Sequence, residues 1–239
     1  MSKLASRRDD NLVYYTGDTH ANFVKIKSFI AEQGLTSDDT IVILGDAMFN
    51  FYGTRIDRRQ KAEVNRRGVN ILCVHGNHDR RPETIETYTT KEFCGGKVYY
   101  EEDFPYIMFA IDSEVYNLDG RKSIVIGGAY TVDKDERILR GIPWWPDEQP
   151  SDEIKKAVEN KLESLHWEVD QVLTHTCPIA YQPVEAFISH IDQSTVDRST
   201  EKWLDTIENK AHYNRWLCGH FHIDKVIDKV RFVMNDFII

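Results

Sequence analysis

The sequence of 239 residues predicts an α/β fold with two sheets. Up to residue 74, apolar runs typical of buried strands alternate with helical patterns in the order β-α-β-α-β, which favours a mainly parallel sheet. Between residues 97 and 126, short strand-like runs follow one another without helices, which favours antiparallel pairing. A second alternation of helix and strand follows residue 151. No linker-like stretch interrupts the chain, so we expect one domain over residues 1–239.

The elements of the first part rest on periodicity. Continuous apolar runs predict strands buried on both faces, and apolar stripes or polar stretches that stop at Gly34 and Gly68 predict helices. The expected elements are strands at 12–16, 41–44 and 69–74 and helices at 22–33 and 56–67.

The later elements have mixed signals. Asp119-Gly120 predicts a two-residue hairpin, and Ser151 followed by Asp152 and Glu153 predicts a capped helix start. Residues 130–150 contain three prolines and the pair Trp144-Trp145, so we expect an irregular segment that forms either core or a lid or substrate loop. The remaining expected elements are strands at 97–100, 106–111, 114–118, 123–126, 171–174 and 215–218, a helix at 200–211 and a closing hairpin up to residue 239.

Composition excludes some classes of function. The formal net charge of −9 disfavours general binding to nucleic acids or anionic membranes, although a nucleotide substrate stays open because a metal can reverse the charge of a pocket. No run approaches transmembrane length, and the first ten residues contain no apolar signal region. The four cysteines show no paired spacing, and Cys73 and Cys218 lie in apolar strand-like runs. We therefore expect buried free thiols and a cytoplasmic protein.

Five predicted strands end in side chains that bind metals. The segments are LVYYTGDTH, IVILGD, LCVHGNHD, QVLTH and WLCGHFH. The carboxyl ends of strands in open α/β sheets converge on one crevice, so these groups should meet. The seven candidate ligands are Asp18, His20, Asp46, Asn77, His175, His220 and His222.

The donor set indicates the kind of ion. Imidazole, carboxylate and amide oxygen together suit transition metals such as Mn, Fe, Zn, Co or Ni better than Ca or Mg. Seven ligands exceed one tetrahedral site but serve two ions if one carboxylate bridges them. Asp18/His20 and His220/His222 are i, i+2 pairs, which would share one face of an extended segment. The glycines before Asp18, Asp46, Asn77 and His220 are expected to permit tight turns.

In this order, GDTH, GD, GNHD, TH and GHFH resemble the signature of the calcineurin-like metallophosphoesterase superfamily, over residues 17–222. The resemblance implies a four-layer α/β/β/α sandwich of two mixed sheets with a dinuclear metal site at the strand ends. It implies two divalent or trivalent ions, with Mn, Fe and Zn foremost. GGAYTVDK, WWPDE and THTCP resemble a bacterial and phage-borne branch whose substrates are poorly defined.

The resemblance also implies roles for residues. Asp18, His20 and His222 would hold the first ion, Asn77, His175 and His220 the second, and Asp46 would bridge them. His78 would be the catalytic residue beside the phosphate. The implied reaction is hydrolysis of a phosphodiester or small phosphomonoester by a metal-bridging hydroxide.

The sequence departs from the family in GDAMFN, where Phe49 and Asn50 stand in place of the Asp and Arg of many members. This difference disfavours one alternative, a serine/threonine-type protein phosphatase, and keeps another open, a metal-bearing binding scaffold with little turnover. Substrate contacts are expected among Asn50, Arg80, Tyr130 and Arg137, and Asp79 is a candidate to tune His78. The expected partner is a small phosphate ester, and both a monomer and a homodimer stay open.

Overall fold

The computed structural model describes residues 11–239. Its helices are α1 (Val24–Gln33), α2 (Arg55–Asn65), α3 (Lys134–Arg140), α4 (Asp152–Ser164) and α5 (Ser199–Glu208). Its strands are β1 (Val13–Thr16), β2 (Thr40–Ile43), β3 (Asn70–Cys73), β4 (Tyr88–Phe93), β5 (Gly96–Glu101), β6 (Ile107–Ala110), β7 (Val115–Leu118), β8 (Arg121–Ile126), β9 (Gln171–Thr174), β10 (Arg215–Cys218), β11 (Lys225–Ile227) and β12 (Val230–Phe232).

The strands form two mixed sheets of six. The first sheet has the order β1-β2-β3-β6-β5-β4, and the second has the order β11-β12-β10-β9-β8-β7. Strands β1, β2, β3 and β6 pair in parallel, as do β8, β9, β10 and β12. The outer strands β4, β5, β7 and β11 pair antiparallel to their neighbours.

Alternation along the strands creates the layers. In β2, Ile41 and Ile43 pack with Ile26 of α1, whereas Val42 packs with Leu173 and Leu217 of the second sheet. The opposite face of the second sheet packs on α4 and α5 through a third apolar cluster. The order of layers is therefore helix, sheet, sheet, helix, and the predicted four-layer α/β/β/α sandwich is confirmed.

Most predicted elements are present, and three findings stand out. The Asp119-Gly120 hairpin is confirmed, with φ of 54° and 74° and antiparallel pairing of β7 with β8. The Ser151 side chain accepts a hydrogen bond from Ile154 N at 3.3 Å, as expected of a helix cap. The expectation of an irregular segment at 130–150 is wrong for Lys134–Arg140, which forms α3.

Two predictions from composition can be compared with the structure. All four cysteines are free, and Cys73 and Cys218 are buried as expected. Within residues 11–239, no helix has the length and apolarity needed to cross a membrane. The expectation about a signal region in the first ten residues lies outside the described residues.

Candidate metal centre

The carboxyl ends of five parallel strands, from both sheets, bring the predicted ligands together. Residues that follow β1, β2 and β3 approach residues that follow β9 and β10. Backbone bonds join these loops, since His20 N donates to Asp46 O at 3.0 Å and Gly219 N donates to His175 O at 3.0 Å.

Three overlapping groups of side chains place their ligand atoms within 4.8 Å of one another. Any two of these groups have one residue in common, which is Asp18, His20 or Asp46. The three groups therefore form one continuous cluster. The groups are Asp18, His20 and His222; His20, Asp46 and His78; and Asp18, Asp46 and His175.

The first group coincides with the ligands expected for the first ion. Nε2 of His20 and Nε2 of His222 are 2.8 Å apart, and Asp18 Oδ2 lies 3.1 Å from His222 Nε2 and 3.6 Å from His20 Nε2. These atoms are turned toward one point. The Asp18 side chain is fully buried, whereas that of His222 is 52% exposed, so the cluster faces solvent at His222.

Ligand atoms expected for the second ion also meet. Nδ1 of His175 lies 2.8 Å from Leu44 O, and this contact leaves Nε2 as the ligand atom. That Nε2 lies 2.9 Å from Asn77 Oδ1 and 3.4 Å from Asp46 Oδ1. His220 belongs to none of the three groups, although its ring centroid is 4.9 Å from that of His175.

His78 lies against both Asp46 and Arg137. Its backbone N donates to Asp46 Oδ1 at 2.9 Å, and its Nε2 lies 3.7 Å from Asp46 Oδ2. Nη2 of Arg137 is 3.2 Å from the same Nε2. Nε of Arg137 donates to Asp133 Oδ1 at 2.8 Å, so the guanidinium is held in place.

The electrostatics of the cluster favour bound cations. Burial alone would raise the pKa of the Asp18 and Asp46 carboxyl groups, but the surrounding histidines hold both pKa values well below the usual range. Burial and the charge of His175 lower the pKa of His220 to about 3, so its imidazole is neutral. Although burial opposes it, the Asp46 charge raises the pKa of His175 to about 9. A metal at His175 would therefore displace a proton.

The residues present fit transition-metal ions. Two ionised carboxylates lie in the interior beside imidazole nitrogens that face each other at 2.8 Å, and such an arrangement needs a proton or a cation between its members. Imidazole, carboxylate and amide oxygen are donors for Mn, Fe or Zn.

The backbone of the cluster differs from our expectation. Of the four glycines that precede ligands, only Gly45 has positive φ, at 95°. The left-handed conformations fall instead on the ligands His20, Asp46, His220 and His222. The segments that contain these four residues are therefore not extended, and the expectation that i, i+2 pairs share one face of an extended segment is wrong, although Asp18 and His20 do converge.

These glycines are needed chiefly for space. A Cβ on Gly76 would lie 2.1 Å from Asp46 Oδ1, and a Cβ on Gly219 would lie 2.4 Å from Asp18 Oδ1. Any side chain there would displace a carboxylate of the cluster.

Sequence patterns did not reveal the contacts that orient Asn77. Its Nδ2 donates to Thr131 Oγ1 at 2.9 Å, which turns its Oδ1 toward His175. Thr131 N donates to Glu148 Oε1 at 3.1 Å, and Trp144 Nε1 donates to Glu148 Oε2 at 2.7 Å. Thr131 and Glu148 are buried, and both lie in the segment at 130–150, whose sequence does not indicate a contact with Asn77.

The candidates for substrate contacts fall in different places. Arg137 reaches His78, and Tyr130 lines a pocket with His220. Asn50 is buried, and its Oδ1 accepts from Tyr88 OH at 2.9 Å. Arg80 is held by Thr84, and its guanidinium lies 5.7 Å from the Trp145 ring centroid.

Apart from Asp46, the GDAMFN loop supplies no carboxylate to His78. Phe49 is fully buried and stacks on Phe23, with ring centroids 4.2 Å apart. The Asp79 carboxylate accepts from Met48 N at 3.0 Å and Asn50 N at 3.3 Å, so it fixes this loop. Burial and the Asp46 charge raise the pKa of Asp79 to about 7.

The chain is similar in sequence to one described family. The sequence model described as calcineurin-like phosphoesterase matches residues 12–224. No curated protein matches the chain. TT1561 of Thermus thermophilus is 12% identical, with a TM-score of 0.48 over 93% of this chain and 87% of that one. A second solved chain is 15% identical, with a TM-score of 0.48 over 92% and 88%. A protein of unknown function, AQ665 from Aquifex aeolicus, is 21% identical, with a TM-score of 0.21 over 37% of this chain and 59% of that one.

Proposed function

Since the chain belongs to the calcineurin-like phosphoesterase family, we propose that it hydrolyses a phosphodiester or a small phosphomonoester with two transition-metal ions. The observation that carries the proposal is the set of three ligand groups joined through Asp18, His20 and Asp46 at the ends of parallel strands.

In this proposal the ligands divide between two ions, with Mn, Fe or Zn foremost. Asp18, His20 and His222 hold one, Asn77, His175 and His220 hold the other, and the Asp46 carboxylate faces both. The bound ions would supply Lewis-acid charge to the phosphate and lower the pKa of water. Asp46 also accepts the backbone N–H of His78, so the same carboxylate fixes the catalytic side chain.

His78 and Arg137 act on the phosphate ester. His78 Nε2 donates a hydrogen bond to the leaving oxygen, a contribution of about 10²–10⁴-fold for a positioned acid. Nη2 of Arg137 lies 3.2 Å from that nitrogen. Its N–H groups bind the phosphate oxygens in place of the arginine that GDAMFN lacks. Tyr130, Arg80 and Asn50 are further candidates, of which Tyr130 lines a pocket together with His220.

The four free cysteines support a cytoplasmic setting. Disulfides are rare in that reducing compartment, and three of the thiols, those of Cys73, Cys177 and Cys218, are buried in the structure.

The test is hydrolysis of p-nitrophenyl phosphate and bis-p-nitrophenyl phosphate by metal-free protein reloaded with Mn²⁺. Asp46→Asn and His78→Ala are the diagnostic variants. Asp38→Asn, at the opposite end of β2 and exposed, and the exposed His212→Ala are the matched controls. We expect metal-dependent turnover that falls at least about 10²-fold in the diagnostic variants only. Failure to bind two ions would refute the proposal, and two bound ions without turnover would favour the binding scaffold.

A further inference from the structure

An apolar pocket opens beside His220, and of the residues given a part in the reaction above only Tyr130 and His220 line it. Phe221 contacts the His220 ring edge-on at 5.0 Å between centroids, so the pocket begins at the metal centre. Much of its wall comes from the loop that follows His175. We define the ring pocket by six of its lining residues: Tyr130, Phe187, Ile191, Val196, Arg198 and Phe221.

The shape and chemistry of the ring pocket suit a flat aromatic group. The rings of Phe187 and Phe221 are inclined by 26°, with centroids 6.2 Å apart. The guanidinium of Arg198 lies 5.5 Å from the Phe187 centroid. Aromatic walls and a guanidinium plane bind rings better than they bind sugars or charged peptides, because they offer stacking faces and few hydrogen bonds.

Two polar side chains of the pocket each have one buried atom without a hydrogen-bond partner among residues 11–239. Arg198 Nη2 donates to Gln193 Oε1 at 3.0 Å, but its Nε has no hydrogen-bond partner among residues 11–239. Glu201 also lines the pocket and is 3% exposed. Its Oε1 accepts from Thr176 at 2.8 Å, and its Oε2 is without a partner in the same part of the chain. Such buried atoms are rare in native proteins and indicate a ligand with one acceptor and one donor.

We propose that the ring pocket binds an aromatic ring of the substrate's ester group, with a polar edge of the ring toward Arg198 and Glu201. The proposal rests on the proposed function only for the position of the phosphate, which lies at the metal centre. The substrate class is then a phosphate ester of an alcohol that carries a flat ring with at least one hydrogen-bond donor and one acceptor.

The test uses phosphonates that cannot be hydrolysed, with binding to Mn²⁺-loaded protein measured by calorimetry. The ligands are 2-phenylethylphosphonate, 2-cyclohexylethylphosphonate, propylphosphonate and the 4-carbamoylphenyl analogue. We expect the phenyl compound to bind at least about tenfold more tightly than the propyl compound and about threefold more tightly than the cyclohexyl compound. The carbamoyl group should add about threefold.

Variants of the pocket residues test whether the phosphonates bind in the ring pocket. Phe187→Ala and Phe187→Leu should remove the preference for phenyl over cyclohexyl, and Arg198→Met should remove the gain from the carbamoyl group. Tyr100→Ala is the control, because Tyr100 is also half-buried beneath a cation, Lys91, 4.6 Å from its centroid. If a Phe187 variant does not fold, the comparison of phenyl with cyclohexyl in the wild type still decides the question.

The two proposals fail in different ways. Equal binding of the phenyl and cyclohexyl compounds, or a phenyl preference unchanged in folded Phe187 variants, would overturn the ring pocket. A carbamoyl group without effect would overturn its polar edge. Benzyl phosphate and ethyl phosphate are assayed for phosphate release beside the binding series. Binding that follows the ring while neither these monoesters nor bis-p-nitrophenyl phosphate is hydrolysed would refute the phosphoesterase and leave the pocket standing.

Discussion

The guanidinium of Arg137 lies 3.2 Å from Nε2 of His78, across 59 residues of sequence. Arg137 is not a freely solvated surface residue, because its side chain is 16% exposed and its Nε donates to Asp133. In the proposed reaction, a phosphate oxygen bound between His78 and the candidate metal ligands would contact this guanidinium.

Arg137→Ala should therefore lower kcat/KM by about 10²-fold, the loss that follows removal of one donor to a developing charge. Arg137→Lys should recover part of this loss, because a lysine offers charge without the planar fork. Arg140→Ala is the control, since Arg140 lies on the same helix and pairs with Glu136 in solvent. Equal activity of Arg137→Ala and Arg140→Ala would exclude the phosphate role.

The sequence indicates the candidate ligands but not this arginine's helix, and the reason is physical. Ligands at strand ends follow long apolar runs, which the sequence displays directly. Helix α3 has no buried residue and exposes Ile138 and Leu139, so it lacks the apolar stripe by which helices are recognised. Local ion pairs and the left-handed Gly141 define it instead.

The sequence also does not predict strand β4 or the contacts of Asn77, for related reasons. The sequence YTTKEF of β4 lies at an edge of the first sheet and has little apolar alternation. Thr131 and Glu148 act on Asn77 only because the fold brings together residues 54 and 17 positions apart. Contacts between residues so far apart in the sequence follow no spacing rule, so they cannot be predicted from the sequence pattern.

If two ions bind as proposed, Thr131→Val should weaken the binding of one of them. Valine keeps the shape of threonine but cannot accept the Asn77 N–H, so the amide is free to turn its oxygen away from His175. Partners of this kind change metal affinity by about 10–100-fold. Titration of metal-free protein with Mn²⁺ should show one ion bound more weakly and the other unchanged. The exposed Thr36→Val is the control, and two unchanged sites in Thr131→Val would contradict the prediction.

Gly76→Ala should abolish activity while the fold persists. The new methyl would lie 2.1 Å from both the backbone N and Oδ1 of Asp46, so that residue must move. We expect a loss of at least about 10² in kcat/KM, as for removal of a catalytic group, together with loss of bound metal. Gly34→Ala provides the contrast, because Gly34 has φ of 65° but no atom within 4 Å of its added Cβ. That variant should lose about 1 kcal/mol of stability and no activity, and a Gly76→Ala enzyme with normal turnover would refute the account.

Replacing one partner of the ion pair between Lys61 and Glu101 should destabilise the fold more than replacing both partners. Its atoms are 2.5 Å apart, and the side chains are 7% and 11% exposed. Lys61→Met leaves a buried carboxylate without its cation, which should cost about 3–5 kcal/mol, whereas Lys61→Met with Glu101→Leu should cost far less. Arg58→Met breaks a pair whose side chains are both 63% exposed and should cost under about 1 kcal/mol. Urea unfolding followed by tryptophan fluorescence measures all four proteins, and equal losses in the single and double variants would contradict the prediction.

Removal of metal should lower the melting temperature, because an ion that binds the folded protein and not the unfolded chain stabilises the fold. Asp18 and Asp46 are both buried, and only the folded chain brings their carboxylates together with the histidines. An ion present at a hundred times its Kd adds about 2.7 kcal/mol, which corresponds to about 5–10 °C for a chain of this size. Calorimetry with EDTA and then with added Mn²⁺ should show this shift in the wild type and in Asp38→Asn. Asp46→Asn should show a smaller one, because the carboxylate that faces both ions is neutralised. A melting temperature that does not respond to Mn²⁺ would mean that these side chains do not hold metal.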